Sequence, residues 1–93
     1  MNNIDLSYKK FVSVSNFKNV KNQFLILTKE GLYFQSYKSV IAFKSNKGKT
    51  YLDDYYWNYS KTTGKYRNMF LRETKKDTEN KIKDGTYILT NLN

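Results

Sequence analysis

A chain with no cysteine, no histidine and no proline has to hold itself together by packing alone. Disulfide frameworks need Cys, and structural zinc sites need Cys or His, so neither staple is open to it. Its 93 residues make one small domain spanning 1–93. Hydrophobic residues supply only 39% of the chain, below the usual share of about 45–50%. Aromatics supply 17%, as nine Tyr, six Phe and Trp57. Each ring buries roughly 150–250 Å², so rings stand in for the missing aliphatics. An aromatic core is predicted, where a Lys/Asn-rich chain without these rings would stay disordered.

The same absences remove most catalytic routes. Cysteine nucleophiles and histidine-based triads are excluded, and no side chain titrates by itself near neutral pH. Asp53 and Asp54 are adjacent, so in a strand they point to opposite faces, and in a turn they read as a solvated pair. Arg67 and Arg72 are too few to surround a Tyr nucleophile, and Ser60-Lys61 reads as a helix cap beside a surface lysine. Gly48-Lys49-Thr50 copies the end of a phosphate loop without its upstream glycine or its following helix. A non-enzymatic protein is expected, with no metal, no cofactor and no small-molecule substrate.

Residues 1–10 are polar and are expected to fray, with Ile4 and Leu6 able to dock. Residues 11–15 alternate and are β-branched, as a short strand requires. Residues 16–22 read as a turn or one helical turn with Phe17 and Val20 inward. Two apolar runs, 23–28 and 32–37, flank Lys29-Glu30-Gly31 as a hairpin. Residues 39–44 form another strand, 45–49 a turn with Gly48 at its corner, and a strand resumes at Thr50 through at least Leu52. Read at period two, Tyr51, Asp53, Tyr55, Trp57 and Tyr59 share one face, so the segment is either a twisted edge strand or a strand followed by an aromatic loop.

A helix is predicted over about 60–72, capped by Ser60 or Thr62, with Thr63, Tyr66 and Phe70 facing inward. Lys61, Lys65, Asn68 and Arg72 then form a stripe on the opposite side. Gly64 within it costs about 1 kcal/mol relative to Ala and marks close packing on the sheet. Thr74 and Asp77 have the spacing of a capping box, opening a second helix over about 75–84 with Ile82 as its buried anchor and Gly85 as its stop. Residues 86–92 alternate as a last strand. The expected class is α+β, a small antiparallel sheet of four to five strands with one or two helices packed on one face.

Seventeen Lys and Arg against eight Asp and Glu give a net charge of +9. The excess is spread along the chain, +3 over residues 1–30, +2 over 31–59 and +4 over 60–93. Distributed charge on a folded body is the footprint of a polyanion binder; the competing account is codon bias that enriches Lys, Asn, Tyr and Phe. No run approaches the roughly 20 apolar residues of a membrane span, and residues 1–6 carry Asp5 and no basic leader. An intracellular location is expected.

FQSYKSVIAFKS at 34–45, YLDDYYWNYSKTTGKYRNMFLRE at 51–73 and IKDGTYILTNLN at 82–93 resemble a group of small phage-encoded accessory proteins. Those proteins share an SY-x-S/T-x-IA strand, a YL-D-x-x-W-x-YS strand and a TT-x-K-Y-x-N-x-FL helix start. The resemblance covers most of the chain after Phe34 and implies a phage or prophage accessory protein acting in the cytoplasm of a bacterial host cell. It transfers no catalytic residue.

The expected function is binding of nucleic acid or a host nucleoprotein complex, regulatory or anti-defence (anti-CRISPR-like) in role. Lys61, Lys65, Arg67, Asn68 and Arg72 are the candidates for phosphate contact on the helix, and Lys47 and Lys49 at the basic hairpin tip. Tyr55, Tyr56 and Trp57 are the candidates for stacking on bases. Tyr33 and Tyr37, beside Lys38 and Lys49, suggest the same chemistry, although so few aliphatics also place these rings in a core. The alternative is contact with an acidic surface of a host protein, as an inhibitor or structural subunit, or a homodimeric module that uses the aromatic segment as its interface.

Overall fold

The alternating runs become strands in the computed structural model, which describes residues 11–93, except that the run from Thr50 stops at Asp53 and leaves Tyr55, Trp57 and Tyr59 in a loop and not on one strand face. The order along the chain is β1 (Phe11–Asn16), a single 3-10 turn (Phe17–Asn19), β2 (Gln23–Thr28), β3 (Gly31–Ser36), β4 (Ser39–Ser45), β5 (Thr50–Asp53), α1 (Lys61–Leu71), α2 (Lys75–Lys83) and β6 (Tyr87–Thr90). The expectation of fraying over residues 1–10 lies outside the described residues. All six strands join one sheet in the order β1-β2-β3-β4-β5-β6.

The sheet is therefore larger than four or five strands, and it is mixed. Pairing is antiparallel from β1 to β5 and parallel between β5 and β6. The parallel pair follows from what separates the two strands: two helices make a connection long enough to carry the chain back before β6 begins. β2 turns into β3 at Lys29-Glu30, and β3 opens flush against β4. A Cβ on Gly31 would stand 2.1 Å from the Lys44 carbonyl and 2.8 Å from the Phe43 ring. Only glycine permits that approach.

Phe34 pairs with Ala42 and Gln35 with Val40, which leaves Ile41 as an extra residue. This bulge lets two consecutive residues, Ile41 and Ala42, both be buried. One face of the sheet then carries Phe34, Ala42 and Leu52 in register, and these are fully buried. Over them close the 3-10 turn and α1. Phe17, Phe34 and Phe70 meet with ring centroids 5.5–6.4 Å apart. The core is aromatic, as the composition implied, and Tyr87 from β6 completes it.

Ser60 caps α1, its Oγ accepting from the Thr63 amide at 3.2 Å. The buried positions are Thr63, Arg67, Phe70 and Leu71; Tyr66 is half-buried and packs on the core against the Phe17 ring, as expected, and Arg67 is buried in addition. Thr74 and Asp77 form both bonds of the capping box of α2. The anchor of α2 is Thr78, which is fully buried, whereas Ile82 is only partly so. Thr78 goes inward because its hydroxyl donates to Glu73 Oε2 at 2.6 Å. Glu73 also accepts from Lys81 at 2.6 Å and from the Tyr87 hydroxyl at 2.8 Å, tying both helices to β6. Burial alone would raise the Glu73 pKa, but these three donors hold it below its ordinary 4.5. Burial and the hydrogen bond to Glu73 push the Tyr87 phenol up to about 12.

Candidate phosphate-binding groove

Arg67 is 1% exposed, an unusual setting for an obligate cation. Its guanidinium lies 5.3 Å over the Trp57 ring. Nη1 donates to the Trp57 carbonyl at 2.8 Å and to Asn58 Oδ1 at 3.3 Å, and Nη2 donates to Asn68 Oδ1 at 2.9 Å. Every one of these acceptors is neutral. Nε is buried with no partner, so the five-donor fork of an arginine is not used up. Burial pushes its pKa below the ordinary 12.5, while Glu73 and Glu79 favour the cation from a distance.

This guanidinium forms the floor of a groove of about 520 Å³ with Lys61, Lys65 and Lys75 at its rim. Asn58, Ser60, Gly64 and Asn68 complete the lining, and no acidic residue is among them. Gly64 opens directly onto the floor. A Cβ there would stand 3.6–3.7 Å from the two Nη atoms, in ordinary contact, so the close packing expected at Gly64 is on Arg67 rather than on the sheet. Four cations line one concave surface, and guanidinium and ammonium groups can give charge-assisted hydrogen bonds to an anion with several oxygens, such as phosphate.

The structure thus brings together Lys61, Lys65, Arg67 and Asn68, although Arg67 and Asn68 bond each other within the protein. Arg72 does not join them. It takes a left-handed conformation at the end of α1 (φ 60°) and lies with Lys18 and Lys44 along a separate depression beside Phe17 and Phe70. Burial and the charge of Arg72 lower the Lys44 pKa, with Glu73 opposing. Lys75 takes the place of Arg72 in the groove. No periodicity within α1 reveals it, because it enters from the first position of α2 after the chain folds back.

The stacking candidates divide. Trp57 is half-buried and one side of its ring is taken by Arg67. Tyr56 is half-buried and Tyr55 is 71% exposed. With Tyr59 these tyrosines form their own cluster, ring centroids 4.7–6.5 Å apart, beside a concavity of about 730 Å³ between the β3–β4 turn and the start of α1. Lys47 and Lys49 are exposed on the β4–β5 hairpin and line no part of the lysine groove.

Asp53 is neither a turn residue in solvent nor half of a carboxylate pair. It is 1% exposed, and its carboxylate accepts from the amides of Tyr55, Tyr56 and Leu92 and from Asn93 Nδ2, at 2.8–3.1 Å. Burial would raise its pKa, but these four donors hold it below the ordinary 3.8. Asp54 is exposed. Among the described residues no group of three or more Asp or Glu side chains is placed to hold a metal ion. No helix among them is long and apolar enough to cross a membrane.

The model of DUF8033, a family of unknown function, matches residues 7–86, and the chain belongs to that family. No curated protein matches the chain. No solved structure matches it.

Proposed function

We propose that this DUF8033 chain binds nucleic acid by its phosphates in the groove between α1 and the start of α2. The observation that supports the reading most is Arg67: a buried cation bonded only to neutral acceptors, with a donor left over, under a rim of three lysines. A buried charge without its counterion is unfavourable, and a phosphate oxygen at the groove relieves that. Lys61, Lys65 and Lys75 supply the contacts that locate the backbone, and Asn58 and Asn68 hold the floor in place. In this reading the protein is a non-enzymatic accessory factor of phage type that occupies a nucleic acid or a host nucleoprotein complex.

Four cations set the expected salt dependence. Counterion release gives a slope of about −0.7 to −0.9 in log K per phosphate neutralised, so affinity falls about 10²-fold between 50 and 200 mM salt. Fluorescence anisotropy of a labelled oligonucleotide over that range is the test. Absence of binding at 50 mM salt refutes the reading.

A further inference from the structure

The sheet has a second face, and the helices do not cover it. Adjacent register positions carry Val14, Ile26, Tyr33, Phe43, Tyr51 and Ile88, one from each strand, so they stand in a line across the side opposite Phe34, Ala42 and Leu52. Val14 is 49% exposed and the other five are half-buried. The three central rings are nearly parallel: Tyr33 and Phe43 lie 4.2 Å apart at 20°, Phe43 and Tyr51 5.9 Å apart at 22°. They line a shallow groove of about 480 Å³ that also includes Lys29 and Lys47. Asn46 holds those two lysines on one rim, because its amide group donates to the Lys29 carbonyl at 2.7 Å and its backbone N–H to the Glu30 carbonyl at 2.9 Å. Glu30 is the one carboxylate in the lining.

We infer that this face takes unpaired bases, so that the nucleic acid bound is single-stranded. The inference rests on the phosphate reading above and adds the substrate class to it. Because the three rings stack on one another, what they offer an unpaired base is the outer faces of the end rings, Tyr33 and Tyr51, and the row of ring edges, whereas a duplex keeps its bases stacked inside itself. Charge selects this occupant over a second copy of the chain: a strand carries phosphates past Lys29 and Lys47, whereas a copy would bring +9 against +9. The lysine groove lies on the helix side of the sheet and the ring row on the other. A strand engages both by passing round an edge.

The test compares an oligothymidylate of about 12 nucleotides with an abasic oligomer of equal length, for the natural chain, Tyr51→Leu and Tyr51→Phe. The oligothymidylate is expected to bind about 10-fold tighter than the abasic oligomer. Tyr51→Leu should erase that difference and Tyr51→Phe should keep it, with circular dichroism unchanged in both. Equal affinity for the two oligomers overturns the inference and leaves the phosphate reading standing. If neither oligomer binds at low salt, the phosphate reading fails and the inference with it. A dimer in sedimentation velocity that Tyr51→Leu dissociates gives the face to a second copy and also overturns the inference.

Discussion

Asp53 and Arg67 are equally buried and carry opposite charges, yet their surroundings treat them in opposite ways. The Asp53 carboxylate receives four donors, three of them backbone amides: two from the start of the β5–α1 loop and two from the residues that follow β6. Its bonding is complete, and it faces no charged neighbour that a ligand could replace. The Arg67 guanidinium has three neutral acceptors, a donor with none, and a lysine-rimmed groove above it. A buried charge whose hydrogen bonds are all made fixes the fold. In the proposed reading, one that is left with a donor beside a groove of like charge waits for an anion from outside.

That contrast is breakable, beginning with the largest effect. Replacing Asp53 by Asn presents a donor where amides already donate, and should lower the unfolding free energy by about 3 kcal/mol. Urea denaturation reads the loss, and oligonucleotide affinity of the folded fraction should not change. Arg67→Met removes the charge and keeps the bulk. It should reduce stability by about 1–2 kcal/mol while lowering oligonucleotide affinity about 10-fold, a hydrogen bond to a charged group being the larger loss. A variant that loses only stability would make Arg67 a second Asp53.

Acid separates the two sites as well. The Asp53 and Glu73 pKa values are depressed in the folded protein, so their contribution is complete above the ordinary values of 3.8 and 4.5. It is lost as pH falls through the lower folded values. The thermal midpoint should therefore drop as the buffer is taken below about pH 5, and Asp53→Asn should flatten that drop. The smallest effect belongs to Gly64→Ala. The new methyl meets the guanidinium in ordinary contact and should raise stability by up to about 1 kcal/mol through helix propensity. By covering the groove floor it should weaken oligonucleotide binding a few-fold.

Much of the fold could be read from residue order. Every strand and both helices form where alternation, capping spacing and glycine put them, because those signals are local. The sixth strand's direction was not local; it depends on a two-helix crossover whose length decides the pairing. Arg67 shows the same limit more sharply. At 3.6 residues per turn it sits one step from Tyr66, and chemistry argues that the tyrosine should go inward. Tyr66 does pack on the core, but the Trp57 carbonyl and the Asn58 and Asn68 side chains draw Arg67 in beside it, and Trp57 and Asn58 reach Arg67 only once the β5–α1 loop has folded onto the helix. Lys61 and Lys65 were legible as a helical stripe. Lys75 was not, since its place beside them depends on how α2 folds back on α1. The row Tyr33, Phe43, Tyr51 needed register: each ring lies in a different strand, and no window of sequence contains all three.

The groove itself is tested most directly by two charge reversals of equal size. Lys61, Lys65 and Lys75 changed together to Glu alter the net charge by the same amount as Lys18, Lys21 and Lys83, exposed lysines outside the groove. Anisotropy titration of one labelled oligonucleotide at 50 mM salt compares the two proteins. The groove variant should lose about 10²-fold or more in affinity with its circular dichroism intact, and the control variant should lose much less. Equal losses would mean that overall charge, not the groove, carries the binding.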